Sequence, residues 1–483
     1  MTVEIDGRSL SLSELERVAR HAEPVVLSPA ARGLVVAHRR VAEEAFAGGE
    51  RVYGLTTGVG AHKRTPLQAH AVKRFNHDLI LNCRVGSGPP AAVDVVRATM
   101  LRLANLFARG PAGVRVELVD LILIALNQGT HPEIRTRGSI GQADLSALAD
   151  LAHGLLESAS FDLAPGEGLA LCDNNAFSTA LAALATSDCE RLLDALDVVG
   201  SVELEAFGAN LDILHEVAEQ RPFPGLLATL ERLRSLLAGS TLWEPGGARD
   251  LQDPLTFRCL PQVHGAGRDA FGFLAHQLDI ELNAAQGNPL VALAERRMVS
   301  VGSFEILPLA TALDLMRIAL APMLTCANER MMKLLQPAFS GLRGGLATGP
   351  DPADDGYNEF AVAGQAITAE ARLLAQPVSF ELASSTAAQG IEDRTTMAPL
   401  AARRLSEMVA LGSELVAIEL AVATRALALR APAYIGGGCQ RAVDAVLRLV
   451  RPPNPGHPVP NDLEPLRALV RSGALSSLLK EPS

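Results

Sequence analysis

The chain has 483 residues, enough for one large helical body with appended lobes or for two or three ordinary domains, so core size is not limiting. Hydrophobic residues make up 48% against 20% charged, with one Trp and three Tyr, which points to helices packed through Ala, Leu and Val. A formal charge of −11 with scattered basic residues excludes the electrostatic footprint of a nucleic-acid or anionic-membrane partner.

In chain order, the opening MTVEIDGRSL has neither a basic nor an apolar signal region, which predicts no secretory leader and a cytoplasmic protein. Gly-rich turns follow, in Tyr53-Gly-Leu-Thr-Thr-Gly-Val-Gly60 and Arg84-Val-Gly-Ser-Gly-Pro-Pro90, and predict an N-terminal lobe of helices and loops over residues 1–200. From residue 177 the apolar spacing becomes helical over long stretches: 177–199, 263–285, 309–335, 358–375 and 399–430. These define a mainly α long-helix bundle over 201–483. Pro- and Gly-rich stretches at 338–356 and 431–462, the latter containing RPPNPGHPVP, set off its helices and a small C-terminal segment. A helix of ~30 residues spans ~45 Å and needs equally long neighbours, which favours a bundle shared within a homo-oligomer. The apolar window Phe304 to Cys326 carries Glu305, Asp314 and Arg317 and suits a bundle helix better than a membrane span. Six widely separated cysteines, with no CxxC pair and no His at ligand spacing, suggest neither a metal site nor disulfides.

Three separated segments carry residues suited to chemistry. Tyr53 lies in a turn flanked by Gly54 and Gly58, where a phenol of lowered pKa would act as a base, although a tyrosine at such a turn also serves packing. Arg258 is an isolated cation in the apolar stretch Leu251–Gly265, suited to a two-pronged carboxylate clamp or to a structural ion pair. Glu392 and Asp393 adjoin Arg394, as in a solvated turn or, with Glu392 turned inward, as an acid–base pair.

In this order the segments resemble those of the histidine, phenylalanine and tyrosine ammonia-lyases, and the resemblance covers most of the chain. Tyr53-Gly-Leu-Thr-Thr-Gly resembles the loop carrying the family's base, and Gln252-Asp-Pro through Arg258-Cys-Leu-Pro-Gln262 its carboxylate-binding segment. Asn283-Ala-Ala-Gln-Gly-Asn-Pro-Leu290 and Asn328-Glu-Arg330 are similar to helical signatures, Gly302-Ser-Phe304 to a pocket phenylalanine, and Ala388-Gln389-Gly-Ile-Glu-Asp393 to the acidic active-site segment. The resemblance implies the fumarase/aspartase-like helical fold, a small-molecule substrate, and a homotetramer whose sites combine loops from several subunits.

The pattern breaks where the family builds its methylidene-imidazolone from Ala-Ser-Gly, a reaction that requires a dehydratable middle residue and a glycine nitrogen as nucleophile. With Asp144-Leu145 as anchor, Gly141-Gln142-Ala143 stands there; anchoring on Arg137-Gly-Ser-Ile-Gly141 leaves one residue fewer and again no serine in place. Either alignment predicts no cofactor. Leu255 stands for the second catalytic tyrosine, Cys83 for the pocket histidine or leucine, and Asp173 for the asparagine of Gly168-Leu-Ala-Leu-Cys-Asp-Asn174.

The expected site therefore has Tyr53, Glu392, Gln142 and Asp173 for catalysis, with Arg258, Cys83, Leu255, Phe304, Asn174 and Gln389 around the substrate. A helix start near Gln142–Asp144 would stabilise a developing enolate, with Gln142 donating a hydrogen bond. These parts fit a lyase, isomerase or cyclase acting on an already activated, carboxylate-bearing amino-acid derivative. The alternatives are a non-catalytic ligand-binding or regulatory homologue, and an ammonia-lyase with another electrophile.

Overall fold

Ser11 opens the first helix with a reciprocal cap: its hydroxyl accepts from Glu14 N, and the Glu14 carboxylate accepts from Ser11 N at 2.9 Å. That helix, α1 (Leu12–His21), is followed by α2 (Pro29–Ala47), begun by a Ser28 cap and a proline in its first turn. In the computed structural model, which describes residues 2–351, 354–380, 388–450, 459–460 and 462–479, the chain continues through α3 (Val72–Cys83), α4 (Val93–Ala108), α5 (Val116–Gln128), α6 (Leu145–Ala159) and α7 (Glu167–Cys172). Then come α8 (Ala176–Phe207), α9 (Pro224–Leu236), α10 (Leu255–Arg258), α11 (Leu260–Asn283) and α12 (Leu307–Leu335). The last are α13 (Pro337–Ser340), α14 (Asn358–Leu374), α15 (Ala398–Arg430), α16 (Gly437–Leu449) and α17 (Glu464–Arg471). All five expected long helices are present, α8 running eight residues beyond its expected end.

Strands are short and come in pairs: Val3–Ile5 beside Val25–Leu27 in parallel, Ser87–Pro90 against Arg135–Arg137, and Leu290–Ala292 against Arg297–Val299. The fold is mainly α.

Two compact units divide the chain, and neither is continuous. The first comprises 1–187, 274–313 and 377–403; the second comprises 188–273, 314–376 and 404–483. The boundary expected near residue 200 lies within α8; four of the five divisions fall inside α8, α11, α12 and α15, and the fifth follows α14. In the second unit α8 and α15 approach closely, since a methyl group on Gly412 would meet Leu192 Cδ2 at 2.6 Å. Ala and Leu side chains of these helices are buried there, including Leu193, Leu196, Ala417 and Leu420. In the first unit Ile306, Ala310 and Ala398 form a small apolar cluster at the starts of α12 and α15.

By length and composition α12 could cross a membrane, but 56% of its most apolar window is buried within the protein. It also carries a buried Asp314–Arg317 ion pair, which suits a core helix. Most of the RPPNPGHPVP stretch lies outside the described residues, as does Ala387.

Candidate active site

The Gly141-Gln142-Ala143 segment forms a tight turn, with Gly141 and Ala143 both at positive φ (78° and 59°) and bridged to each other. It is pinned from several sides. Thr396 Oγ1 donates to Gly141 O at 2.8 Å, Asn175 Nδ2 to the same oxygen at 3.3 Å, and Met397 N to Ile140 O at 2.9 Å. α6 begins directly after the turn, as expected, with Asp144 at its N-cap position. The Asp144 carboxylate does not cap that helix; it accepts from Ser139 and Ser178 instead.

The turn borders an open cavity of about 550 Å³ within the first unit. Six of the expected site residues line it: Tyr53, Cys83, Gln142, Asp173, Phe304 and Glu392. They come from the Gly-rich loop after α2, the end of α3, the turn before α6, the turn after α7, the segment before α12 and the segment before α15.

Electrostatics in the cavity follow from burial beside carboxylates. Asp173, 9% exposed, is pushed up to about 7 by burial and by Glu392, against a hydrogen bond from the Asn288 main-chain N–H. Cys83 is pushed up by burial and by Glu392 and Asp173. Tyr53 corrects the expectation of a lowered pKa. Burial raises it, only partly offset by Gly60 N, which donates to the phenol oxygen at 2.9 Å, and Asp173 and Glu392 raise it further. At neutral pH it is therefore a hydroxyl donor.

Gln142 is also differently engaged than expected: its Nε2 donates to Glu305 Oε2 at 2.6 Å. Asn174 does not line the cavity. It is fully buried, donates to Ala170 O at 3.0 Å and accepts from Ala176 N at 3.0 Å, so it joins the end of α7 to the start of α8. Gln389 is exposed at φ 59° and is not among the lining residues. Arg258 and Leu255 belong to α10 of the second unit and do not line this cavity either; Leu255 is 61% exposed.

Lining residues that sequence reasoning missed are Lys63, Asn288, Glu305 and, as a site residue, Arg394. Lys63 had a signal, being one of four lysines and lying ten residues after Tyr53. Glu305 directly follows Phe304, and Arg394 directly follows the acidic pair. Among the described residues no group of His, Cys, Asp and Glu is arranged to hold a metal ion.

The comparisons with known proteins agree with this architecture. The family profile described as aromatic amino acid lyase matches residues 10–161 and 155–450. The chain belongs to that family. It is 33% identical to the histidine ammonia-lyase of Sorangium cellulosum (strain So ce56), covering 98% of each chain, and 33% identical to that of Stigmatella aurantiaca, covering 99% of this chain and 98% of the other. Among solved structures, ergothionase from Treponema denticola, an ergothioneine-degrading enzyme, superposes with a TM-score of 0.90 at 26% identity, covering 98% of this chain and 99% of that one. Histidine ammonia-lyase from Trypanosoma cruzi does so with a TM-score of 0.88 at 26% identity, covering 99% and 95%. Family members act on small molecules, and an enzyme of ammonia-lyase type follows for this chain.

Proposed function

We propose that this enzyme eliminates a tertiary amine from an amino-acid-derived betaine by acid–base chemistry, without a methylidene-imidazolone. Residues 141–143 do not fit that group. Gln142 has no β-hydroxyl to lose, Ala143 stands where a glycine nitrogen would attack, and a Cβ on Gly141 would press on Thr396 Oγ1 and lie 3.0 Å from Ala398 N. The observation that carries the proposal is Gln142 in the cavity wall, at the position that the resemblance aligns with the middle residue of the family's tripeptide.

Electrophilic activation is needed when the leaving group is a primary amine. A quaternary ammonium cannot lose its charge to the base and departs as a neutral tertiary amine, so the leaving group needs no electrophile and the remaining task is removal of the β-proton by a base. The carboxylates of Asp173, Glu305, Glu392 and Asp393 give the cavity the charge that attracts such a cation, and the Tyr53 and Phe304 rings add aromatic faces. Lys63 supplies positive charge for an anionic group of the substrate. The Treponema denticola neighbour is an ergothioneine-degrading enzyme, and ergothioneine as a compound carries a quaternary ammonium beside a carboxylate.

In the proposed step the base takes a proton from Cβ, the released pair becomes the Cα=Cβ bond, and the C–N pair leaves with trimethylamine. Asp173, pushed to about 7, is about half ionised at neutral pH, and its ionised form is suited to accept that proton. Tyr53 keeps its proton and orients or relays through its hydroxyl. Arg258 serves as a carboxylate clamp contributed by a second copy of the chain in a homotetramer, which accounts for its lying outside this cavity.

The test offers purified protein ergothioneine and, separately, histidine. Trimethylamine and an unsaturated acid from the first, with nothing from the second and an unmodified intact mass, are expected. Identity of 33% to proteins named histidine ammonia-lyase favours a second reading, deamination of histidine through another electrophile. Ammonia from histidine, or a mass lower by two waters, would establish that reading instead. Binding with no turnover of either would leave a ligand-binding homologue.

A further inference from the structure

Glu305 ties together three segments that are distant in sequence. Its Oε1 accepts from Leu307 N at 3.0 Å in the first turn of α12. Its Oε2 accepts from Gln142 Nε2 at 2.6 Å and lies 3.4 Å from Arg394 Nε. Main-chain pairing between Gln142 and Glu305 adds a second link to the turn before α6.

Each bond engages a part of the cavity wall. Gln142, with its amide nitrogen committed to Glu305, cannot swing that nitrogen toward a ligand without breaking a hydrogen bond to a charged group. Arg394 follows Glu392 and Asp393 directly, so an anchor on Arg394 fixes the reach of both acids. Ala388, Gln389 and Gly390 just before them are all at positive φ (47°, 59° and 84°), and Ala388 and Gln389 have side chains that disfavour it. A segment in that backbone conformation needs fastening at its far end. The far end holds Thr396 N and Met397 N on Ile140 O, next to the Gln142 turn.

We propose that Glu305 is a positioning residue, a carboxylate clasp that fixes Gln142 and the acidic segment 391–394 against the start of α12. In this chain the clasp gives the cavity wall the rigidity that the site needs to hold a substrate cation at a set distance from Glu392. The activity part of the test rests on the betaine-elimination reading; the structural part does not.

The experiment compares wild type with Glu305→Ala, Glu305→Gln and Arg394→Lys. Hydrogen–deuterium exchange is measured on the free proteins, and kcat and KM are measured with ergothioneine as probe. In Glu305→Ala, peptides covering 139–144 and 390–397 exchange about tenfold faster or more, matching loss of a hydrogen bond to a charged acceptor. Glu305→Gln, whose single amide oxygen keeps either the Gln142 bond or the Leu307 bond but not both, restores the 139–144 peptide in part and leaves 390–397 as fast as in Glu305→Ala. With ergothioneine, kcat falls at least about tenfold in Glu305→Ala while KM changes less, and Glu305→Gln recovers part of kcat. Unchanged exchange in both peptides for Glu305→Ala overturns the clasp whether or not ergothioneine is turned over. Altered exchange with no wild-type turnover upholds the clasp and discards the betaine reading. If Glu305→Ala does not fold, Glu305→Gln and Arg394→Lys decide by the 390–397 peptide alone.

Discussion

Asp144 accepts two hydrogen bonds from Ser178, one from its main-chain nitrogen and one from its hydroxyl, each 2.7 Å long. Ser139 Oγ adds a third at 2.7 Å, and Asp144 N itself donates to Asn174 O at 2.8 Å. One buried carboxyl thus joins the start of α6, the start of α8 and the turn that borders the cavity. Burial raises its pKa while Ser139 and Ser178 pull it down. Removing the acceptor strands the two buried Ser178 donors and frees the half-buried Ser139 hydroxyl, so Asp144→Ala is expected to cost roughly 2–4 kcal/mol and Ser178→Ala about 1 kcal/mol, read from urea unfolding at neutral pH. Equal costs would mean that the serine hydroxyl, not the carboxyl, organises the junction.

Asp173 makes stability depend on pH in a defined direction. Its folded pKa of about 7 lies above the ~3.9 of an unfolded aspartate, so between those values the folded state binds the extra proton and stability falls as pH rises. Below about 4 both states are protonated, and above about 7 the penalty is complete. Asp173→Asn lacks this penalty. The variant is therefore expected to gain melting temperature over wild type progressively from pH 4 to 7, with no further gain above, while losing the proposed proton acceptor. A constant difference across that range would show that Asp173 is not held protonated.

In the second unit Arg330 Nε meets Glu203 Oε2 at 2.5 Å, and both residues are fully buried. Glu419, also buried, is pushed well up by burial and by Glu203, which favours its neutral form. Arg330 also donates to Thr256 O at 3.4 Å, in the α10 turn that carries Arg258. Arg330→Ala leaves Glu203 buried without its counter-ion and is expected to cost roughly 3–5 kcal/mol. Glu419→Gln keeps the shape and neutral charge and is expected to melt within a few degrees of wild type at pH 7. A large loss there would require an ionised Glu419.

Much of this was legible in sequence because long helices write their period over many turns. α11, α12, α14 and α15 begin and end within a few residues of their apolar patterns. α8 outran its expected end at residue 199; a Cβ on Gly200, the next residue, would meet Leu260 Cδ1 at 2.9 Å, so that glycine serves close packing within a continuing helix. The cavity was legible where one residue type stands alone in a turn, as with Tyr53 and Phe304. It was not legible in the run Asp173-Asn174-Asn175. There the caps of α7 and α8 decide which side chain faces the cavity, and they turn Asn174 inward. Glu305 and Lys63 became visible only once the turn before α6 and the loop after α2 were brought to one wall.

The surroundings of Gly141 lead to a last prediction, on restoring the family tripeptide. Replacing Gly141-Gln142-Ala143 by Ala-Ser-Gly supplies the required serine and glycine, yet position 141 is at φ 78°, where a side chain is strained. Its new Cβ would press on Thr396 Oγ1, lie 3.0 Å from Ala398 N and lie 3.2 Å from Pro399 Cδ, of which only the first can rotate away. Thr396→Ala relieves that contact and leaves the other two. Losing Gln142 also removes the Glu305 hydrogen bond that holds the turn. Neither the triple variant nor its Thr396→Ala derivative is therefore expected to lose two waters in intact-mass measurements or to gain the ultraviolet band of the ring. Cyclisation in the triple variant would show that the wall yields and that residues 141–143 by themselves decide whether the ring forms; cyclisation only after Thr396→Ala would assign the block to that one side chain.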